Sequence, residues 1–247
     1  MSREGGQDRK EMFLSNVAFL RFAGGFELYQ KLLSSDQDVD KEKVKERMSG
    51  LFSFRSDPNE SLVGIIKDTL AECENGQFSI DGLANKIAGS LVADAFLKQW
   101  NHKGGEVEEG SGMMFANEIV AYENKDNNKL SLHIRPAGVG SDELLTKVVE
   151  GFRAVAEKLK TGELGADAVM MKSWMFGGRL GEYAKQMLGE DVAIENVDPE
   201  DPDVLAIQHL ALYYNNRSLE KYLKSGEKPE VKQVSMSKDE FVGKFGS

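Results

Sequence analysis

The stretch Lys129–Phe152, KLSLHIRPAGVGSDELLTKVVEGF, decides how the second half of the chain is read. Leu130, Leu132 and Ile134 alternate with Ser131 and His133, which is the period of a strand with one apolar face. The alternation stops at a turn holding Arg135, Gly138 and Gly140, and the helical pattern of Asp142–Lys160 follows at once. A strand that ends in glycines just before a helix aims backbone N–H groups and the positive end of the helix dipole at one point, which suits an anion. Glycine leaves no Cβ in the way of close approach, and Arg135 adds a charge-assisted contact to the same phosphate. The plainer reading is a strand-to-helix connection in which Ser141 or Asp142 caps the helix and glycine relieves the turn.

Working outward, GMMFANEIVAYENKDNNKLSLHI (112–134) has two segments of strand composition around the turn residues Asn124–Asn128, a hairpin signal. Strand patterns over Ala166–Lys172 and Val192–Val197 flank a helical pattern over Arg179–Leu188. Such alternation predicts parallel strands joined by crossover helices. DPDVLAIQHLALYYNNRSLEKYLKSGEKP (201–229) reads as one long helix, capped by Asp201, with Pro202 in its first turn and Gly226 at its end. A short strand at Val231–Val234 and a last turn near Phe241 finish the pattern.

The first hundred residues are mostly helical in pattern. Met12, Phe13, Val17, Leu20, Phe26, Leu28 and Leu32 make one apolar stripe, with a break expected at Gly24–Gly25. A second helix lies between Pro58 and Gly76 and carries Leu62, Ile65, Ile66 and Leu70; a third carries Ile87, Leu91, Ala95 and Phe96. DQDVDKEKVKERMSG (36–50) is a charged helix or linker among them. The run NHKGGEVEEGSG (101–112) marks a boundary of glycine and charge. The expectation is a mixed α/β fold, with a helical region over 1–103 and an α/β region with the C-terminal helix over 104–247.

A chain of 247 residues buries a sizeable core without staples. With 31 Lys and Arg against 41 Asp and Glu, the net charge is -10, and a field of that sign repels nucleic acid and anionic membranes, so neither is an expected partner. Cys73 is the only cysteine, and there is no CxxC and no His pair at helical spacing, so no internal disulfide and no metal site are expected. MSREGGQDRKEMF lacks the apolar core of a signal peptide, and no apolar run approaches the ~18 residues of a membrane span. These features predict a cytoplasmic protein. Hydrolase, P-loop and zinc-protease patterns such as GxSxG, GxxxxGK[ST] and HExxH do not occur.

The order hairpin, strand, R-P-A-G-V-G, long helix, strand, helix, strand resembles the GNAT superfamily of acyl-coenzyme A N-acyltransferases. In that family an Arg or Gln, two residues, Gly, one residue, then Gly or Ala follow the fourth strand and bind the pyrophosphate of the acyl donor. Arg135, Gly138 and Gly140 stand at those positions, over a resemblance spanning about Met113–Val197. It implies acetyl-coenzyme A or another acyl-coenzyme A held by Arg135, Gly138, Val139, Gly140 and Ser141, and direct attack by an amine of a small molecule or a protein. It also implies parallel strands that splay apart beside the loop. The chain departs from the family in its added helical region and in Pro136, which removes one N–H donor from the loop.

The resemblance further implies a tyrosine that protonates the departing thiolate. Tyr183 lies in GGRLGEYAKQML, the helix beside the thiol in that architecture, although it precedes Gly189 by six residues where the family has four. Tyr222, in NNRSLEKYLKSGE, matches the family's Asn, small residue, Tyr and Gly spacing but comes late in the chain. The plain reading of both is packing on an apolar helix stripe, Tyr222 with Leu219 and Leu223, Tyr183 with Leu180 and Met187. A general base could come from Glu118 on the first hairpin strand or from His133, although a lone strand histidine is ordinarily a surface or hydrogen-bonded residue. MKSWMFGGRL puts Ser173, Trp174, Met175 and Phe176 where open sheets place a ligand crevice, or simply packs its aromatics under a glycine loop. The rival to an enzyme is a non-catalytic protein whose helical region docks a partner.

Overall fold

The structure is a computed structural model and describes residues 3–35, 39–53, 60–98, 103–107, 112–125, 128–135, 141–176, 188–189 and 192–246. The fold is mixed, with helices and a six-stranded sheet. Two compact units are present, one from Met1–Trp100 and His209–Pro229, the other from Asn101–Gln208 and Glu230–Ser247. The tail segment read as part of the α/β region is therefore shared out. His209–Pro229 belongs to the helical unit because Leu212, Leu219 and Leu223 are buried in that unit's apolar cluster.

In the helical unit, helices run over Arg3–Ser15 (α1), Val17–Ser34 (α2), Lys41–Ser53 (α3), Glu60–Glu74 (α4), Ile80–Ala88 (α5) and Ala93–Lys98 (α6). The break in the first apolar stripe falls at Asn16, not at Gly24–Gly25. Asn16 has extended backbone and its side chain accepts from the Phe19 N–H, which starts α2 afresh. Both glycines stay inside α2, and their role is space: a Cβ on Gly24 would stand 2.8 Å from Asn216 Nδ2, and one on Gly25 3.0 Å from Leu219 Cδ2.

Phe13, Phe19, Phe22 and Phe26 carry the core of this stripe, whereas Met12 and Leu20 are exposed. Leu91 and Ala95 also lie outside the core, since α5 ends at Ala88 and the period restarts at α6, where Ala93, Phe96 and Leu97 are buried. The charged segment 36–50 supplies α3, which buries Val44, Met48 and Leu51.

The predicted long C-terminal helix is two helices, Pro202–Tyr214 (α8) and Asn216–Ser225 (α9). Asn215 interrupts the run with φ -128° and ψ 96°, and its side chain accepts from the Arg217 and Ser218 N–H groups. Gly226 ends α9 in the left-handed conformation, φ 80°, as its position predicts.

The sheet unit contains β1 (Met114–Phe115), β2 (Val120–Lys125), β3 (Lys129–Ile134), β4 (Ala168–Ser173), β5 (Ile194–Asn196) and β6 (Lys232–Ser237), in the spatial order β1-β2-β3-β4-β6-β5. The hairpin β2–β3 is antiparallel, and β3–β4 is parallel across the helix Ser141–Thr161 (α7), as the alternation predicts. β5 is not a third neighbour in that series. β6 inserts between β4 and β5 and is antiparallel to both. The helix read over Arg179–Leu188 lies outside the described residues apart from Leu188, which is buried.

One face of the sheet is apolar and is covered by α7 and by the last helix, Lys238–Phe245 (α10). Leu130, Leu132, Val169, Met171, Val234 and Met236 meet Phe152, Val155, Phe241 and Phe245 there. Phe152 packs 5.9 Å from Phe241 and 5.3 Å from Phe245, ring centre to ring centre. α7 approaches β2 so closely at Gly151 that a Cβ there would stand 2.5 Å from Val120 Cβ. α10 begins with a capping box between Ser237 and Glu240.

Candidate functional site

The parallel pair β3–β4 registers Lys129 with Ala168, Leu130 with Val169, Ser131 with Met170 and Leu132 with Met171, and there the ladder stops. Both strands run on for two residues. His133 and Ile134 remain paired with Ala121 and Val120 of β2, while Lys172 and Ser173 remain paired with Gln233 and Lys232 of β6. The parallel pairing thus ends short of the C-terminal ends of both strands, while each stays paired with its outer neighbour. That is the end of β3 that precedes residues 136–140, the side of an open sheet on which ligands are generally placed.

Side-chain alternation assigns the residues at the gap to faces. Ile134 and Ser173 continue the apolar face; His133 and Lys172 continue the opposite one, along which Glu123, Lys125, Ser131 and Gln233 also lie. His133 Nε2 is 2.9 Å from Glu123 Oε1, and Lys125 Nζ is 2.8 Å from the same oxygen. The side chains of His133 and Glu123 are 21% and 18% exposed, so the pair is largely withdrawn from water yet reachable. Burial, with Arg135 and Lys125 nearby, holds the imidazole below its ordinary range, although Glu123 opposes the shift. Lys172 Nζ lies 2.6 Å from Asp201 Oδ2 and 3.5 Å from Asp203 Oδ2, at the start of α8. That ion pair keeps Asp201 below the usual carboxylate range, helped by the Asp203 and Val204 backbone N–H groups.

Arg135 is the last described residue before the turn. Its backbone N–H donates to the Ile119 carbonyl at 2.7 Å, extending the hairpin by one bond, so this amide is already engaged within the protein. Gly138, Val139 and Gly140 lie outside the described residues, and Ser141 opens α7. α7 runs for 21 residues, so its N-terminal end carries the positive end of a long helix dipole.

Glu118 is not on the hairpin strand but in the bend before β2, where Asn117 accepts from the Ile119 and Val120 N–H groups. Its carboxylate is tied to Lys147 at 3.1 Å, and burial, which raises its pKa, is outweighed by its own backbone N–H and Lys147, which lower it. Such an engaged acid is a poor proton acceptor.

Tyr183 lies outside the described residues. Tyr222 belongs to the helical unit, on α9, half-buried against that unit's core, whereas Arg135, Ser141 and His133 belong to the sheet unit. At the end of β4, Trp174–Phe176 form a single helical turn; Phe176 is buried in the sheet core rather than facing a crevice, and Trp174 is partly exposed. Met175's side chain and the two following glycines lie outside the described residues.

Burial pushes the Cys73 thiol up to about 12, so this cysteine is no nucleophile at neutral pH. Among the described residues no group of three or more His, Cys, Asp or Glu is placed to hold a metal ion. No described helix is long and apolar enough to cross a membrane. The sequence reading missed Glu123, whose signal was the hairpin register: with a turn at Asn124–Asn128, Glu123 falls opposite Ser131, diagonal to His133. Comparison with protein-family models, with curated proteins and with solved structures finds no match.

Proposed function

We propose that the protein is an acyl-coenzyme A dependent N-acyltransferase that moves a short acyl group to an amine. The observation that carries this reading is the end of the β3–β4 pairing at Leu132–Met171, before either strand ends and just ahead of Arg135. Strands that keep their outer partners while their mutual pairing ends are able to separate there, and a thioester carried on an extended arm needs such a separation to reach an acceptor on the far face.

In this reading the Arg135 guanidinium and the backbone N–H groups of Gly138, Val139, Gly140 and Ser141 hold the pyrophosphate. The Arg135 N–H takes no part, since Ile119 already occupies it. Tyr183 protonates the departing thiolate; Tyr222 is left to packing in the helical core, because its ring lies against that cluster. The net charge of -10 favours a cationic amine over an acidic acceptor. A reducing, cytoplasmic setting suits both the lone Cys73 and the thiol product.

The test is thermal unfolding with and without acetyl-coenzyme A. Ligand at a hundred times its dissociation constant adds about 2.7 kcal/mol, roughly 5–10 °C for a chain of this size. Arg135→Ala and Gly138→Asp are expected to remove most of that shift. No shift with acetyl-, propionyl- or butyryl-coenzyme A refutes the reading and leaves a non-catalytic interaction protein in its place. A shift unchanged by both substitutions means that binding occurs elsewhere.

A further inference from the structure

We infer that the sheet face opposite α7 carries a proton-driven switch: when His133 takes up a proton, Lys125 leaves Glu123 for Asp203 at the start of α8. The geometry behind it is one shared oxygen. Glu123 Oε1 lies 2.9 Å from His133 Nε2 and 2.8 Å from Lys125 Nζ. A carboxylate only accepts, so a neutral ring spends its one N–H on Glu123 and leaves Nδ1 as the place for an arriving proton. The imidazolium keeps that bond and strengthens it, because donor and acceptor are then both charged. It also brings a second cation onto an acceptor atom that Lys125 already occupies, and the two repel.

Lys125 is the cation able to move. Its side chain is 38% exposed and sits on a flexible stem, whereas the ring is 21% exposed and fixed to a strand. Its ammonium is held above the usual lysine range first by Glu123, against the opposing effect of burial, and then by Asp203 and Asp201, so these two acids already draw on it. Asp203 is the looser of them, since Lys172 Nζ is 2.6 Å from Asp201 and 3.5 Å from Asp203.

Among the described residues the charged groups set around the ring are Glu123 and Lys125 from β2, Arg135 from the end of β3, Lys172 from β4, and Asp201 and Asp203 from the start of α8. With the ring neutral, the carboxylates of Glu123, Asp201 and Asp203 share only the ammoniums of Lys125 and Lys172. With the ring charged, each acid has its own cation: Glu123 with His133, Asp203 with Lys125, Asp201 with Lys172. Burial, Arg135 and Lys125 oppose the proton and Glu123 favours it, so the switch throws on the acid side of the ordinary histidine value of about 6.5. Acidification thereby ties the first turn of α8 to β2. The switch needs no ligand and is independent of the acyltransferase reading.

The test is an NMR titration of the full chain, labelled with ¹³C in histidine and lysine, from about pH 8 to pH 5. In the wild type the Cε–H signal of Lys125 is expected to move with the midpoint of the His133 ring, and in His133→Gln to stay flat. Linkage is reciprocal, so Lys125→Met is expected to raise the His133 midpoint, by about 0.2–0.7 in pH on the scale of an exposed ion pair. Asp203→Asn is expected to lower that midpoint while Lys125 is present, and by much less in the Lys125→Met background. An equal lowering in both backgrounds means that Asp203 acts on the ring through space alone, and overturns the switch. So does a Lys125 signal that ignores the His133 midpoint, or a ring that stays neutral down to pH 5.

Discussion

Replacing Gly151 with alanine tests the closest approach between the long helix and the sheet. A Cβ at this position would stand 2.5 Å from both Cβ and Cγ2 of Val120 and 3.1 Å from Asn117 Nδ2. Carbon atoms in contact prefer about 3.5–4.0 Å, so roughly 1 Å of separation must open between α7 and β2. Rotating Val120 moves its Cγ2 but not its Cβ, which is fixed to a strand paired on both sides. Alanine in a helix interior gains about 1 kcal/mol over glycine, and overpacking a fitted core costs about 1–3 kcal/mol.

With the clash carried by a backbone-fixed atom, the upper part of that range applies and the net is a loss of about 1–2 kcal/mol. For a chain of this size that is a fall of roughly 2–8 °C in Tm, read by circular dichroism or calorimetry. Gly64→Ala is the internal control: it lies inside α4 with nothing within 4 Å of its would-be Cβ, so the propensity gain stands alone and Tm rises or holds. If Gly151→Ala matches or exceeds Gly64→Ala in stability, α7 does not lie against β2 as described.

His133 and His209 are both held below the ordinary value, chiefly by burial. The unfolded chain therefore takes up protons first as pH falls through about 6.5, and stability declines from there toward the lower folded values. The urea midpoint is expected to be lower at pH 5.5 than at 7.5, above the range where carboxylates titrate, and a flat or rising midpoint contradicts the burial of both rings. Tyr213→Phe removes a hydroxyl that donates to the Leu51 carbonyl at 2.7 Å in the helical core, which is expected to cost about 1–2 kcal/mol in denaturant titration. Asn215→Ala deletes the cap that accepts two N–H groups at the start of α9, with an expected loss of about 1 kcal/mol, whereas Asn215→Asp or Asn215→Ser should restore most of it.

The strand–helix–strand unit was legible because each of its elements announces itself locally. Leu130, Leu132 and Ile134 alternate, α7 follows a 3.6-residue period, and Gly226 ends its helix through a left-handed backbone. Two kinds of feature were not. The breaks at Asn16 and Asn215 lie within stretches whose helical period continues on both sides, where only the capping geometry of one side chain reveals that a new helix has begun. The insertion of β6 between β4 and β5 depends on which strands meet across long sequence separations, and no local period encodes that.

The candidate site divides in the same way. His133 was visible as a residue turned away from the apolar face, but its pairing with Glu123 required the hairpin register, and its place just beyond the last β3–β4 pair required knowing where the parallel ladder stops. Gly24 and Gly25 were misread for a related reason: their partners, Asn216 and Leu219, come almost two hundred residues later in the chain.

The division of the two units along the chain has a consequence for biosynthesis. The helical bundle lacks Leu219 and Leu223 until the ribosome has also delivered five of the six strands, and the sheet lacks its penultimate strand, β6, until after those leucines. Neither core can close in the order in which it is translated. A nascent chain halted near residue 200 holds two incomplete apolar surfaces, each waiting on a segment still to be made.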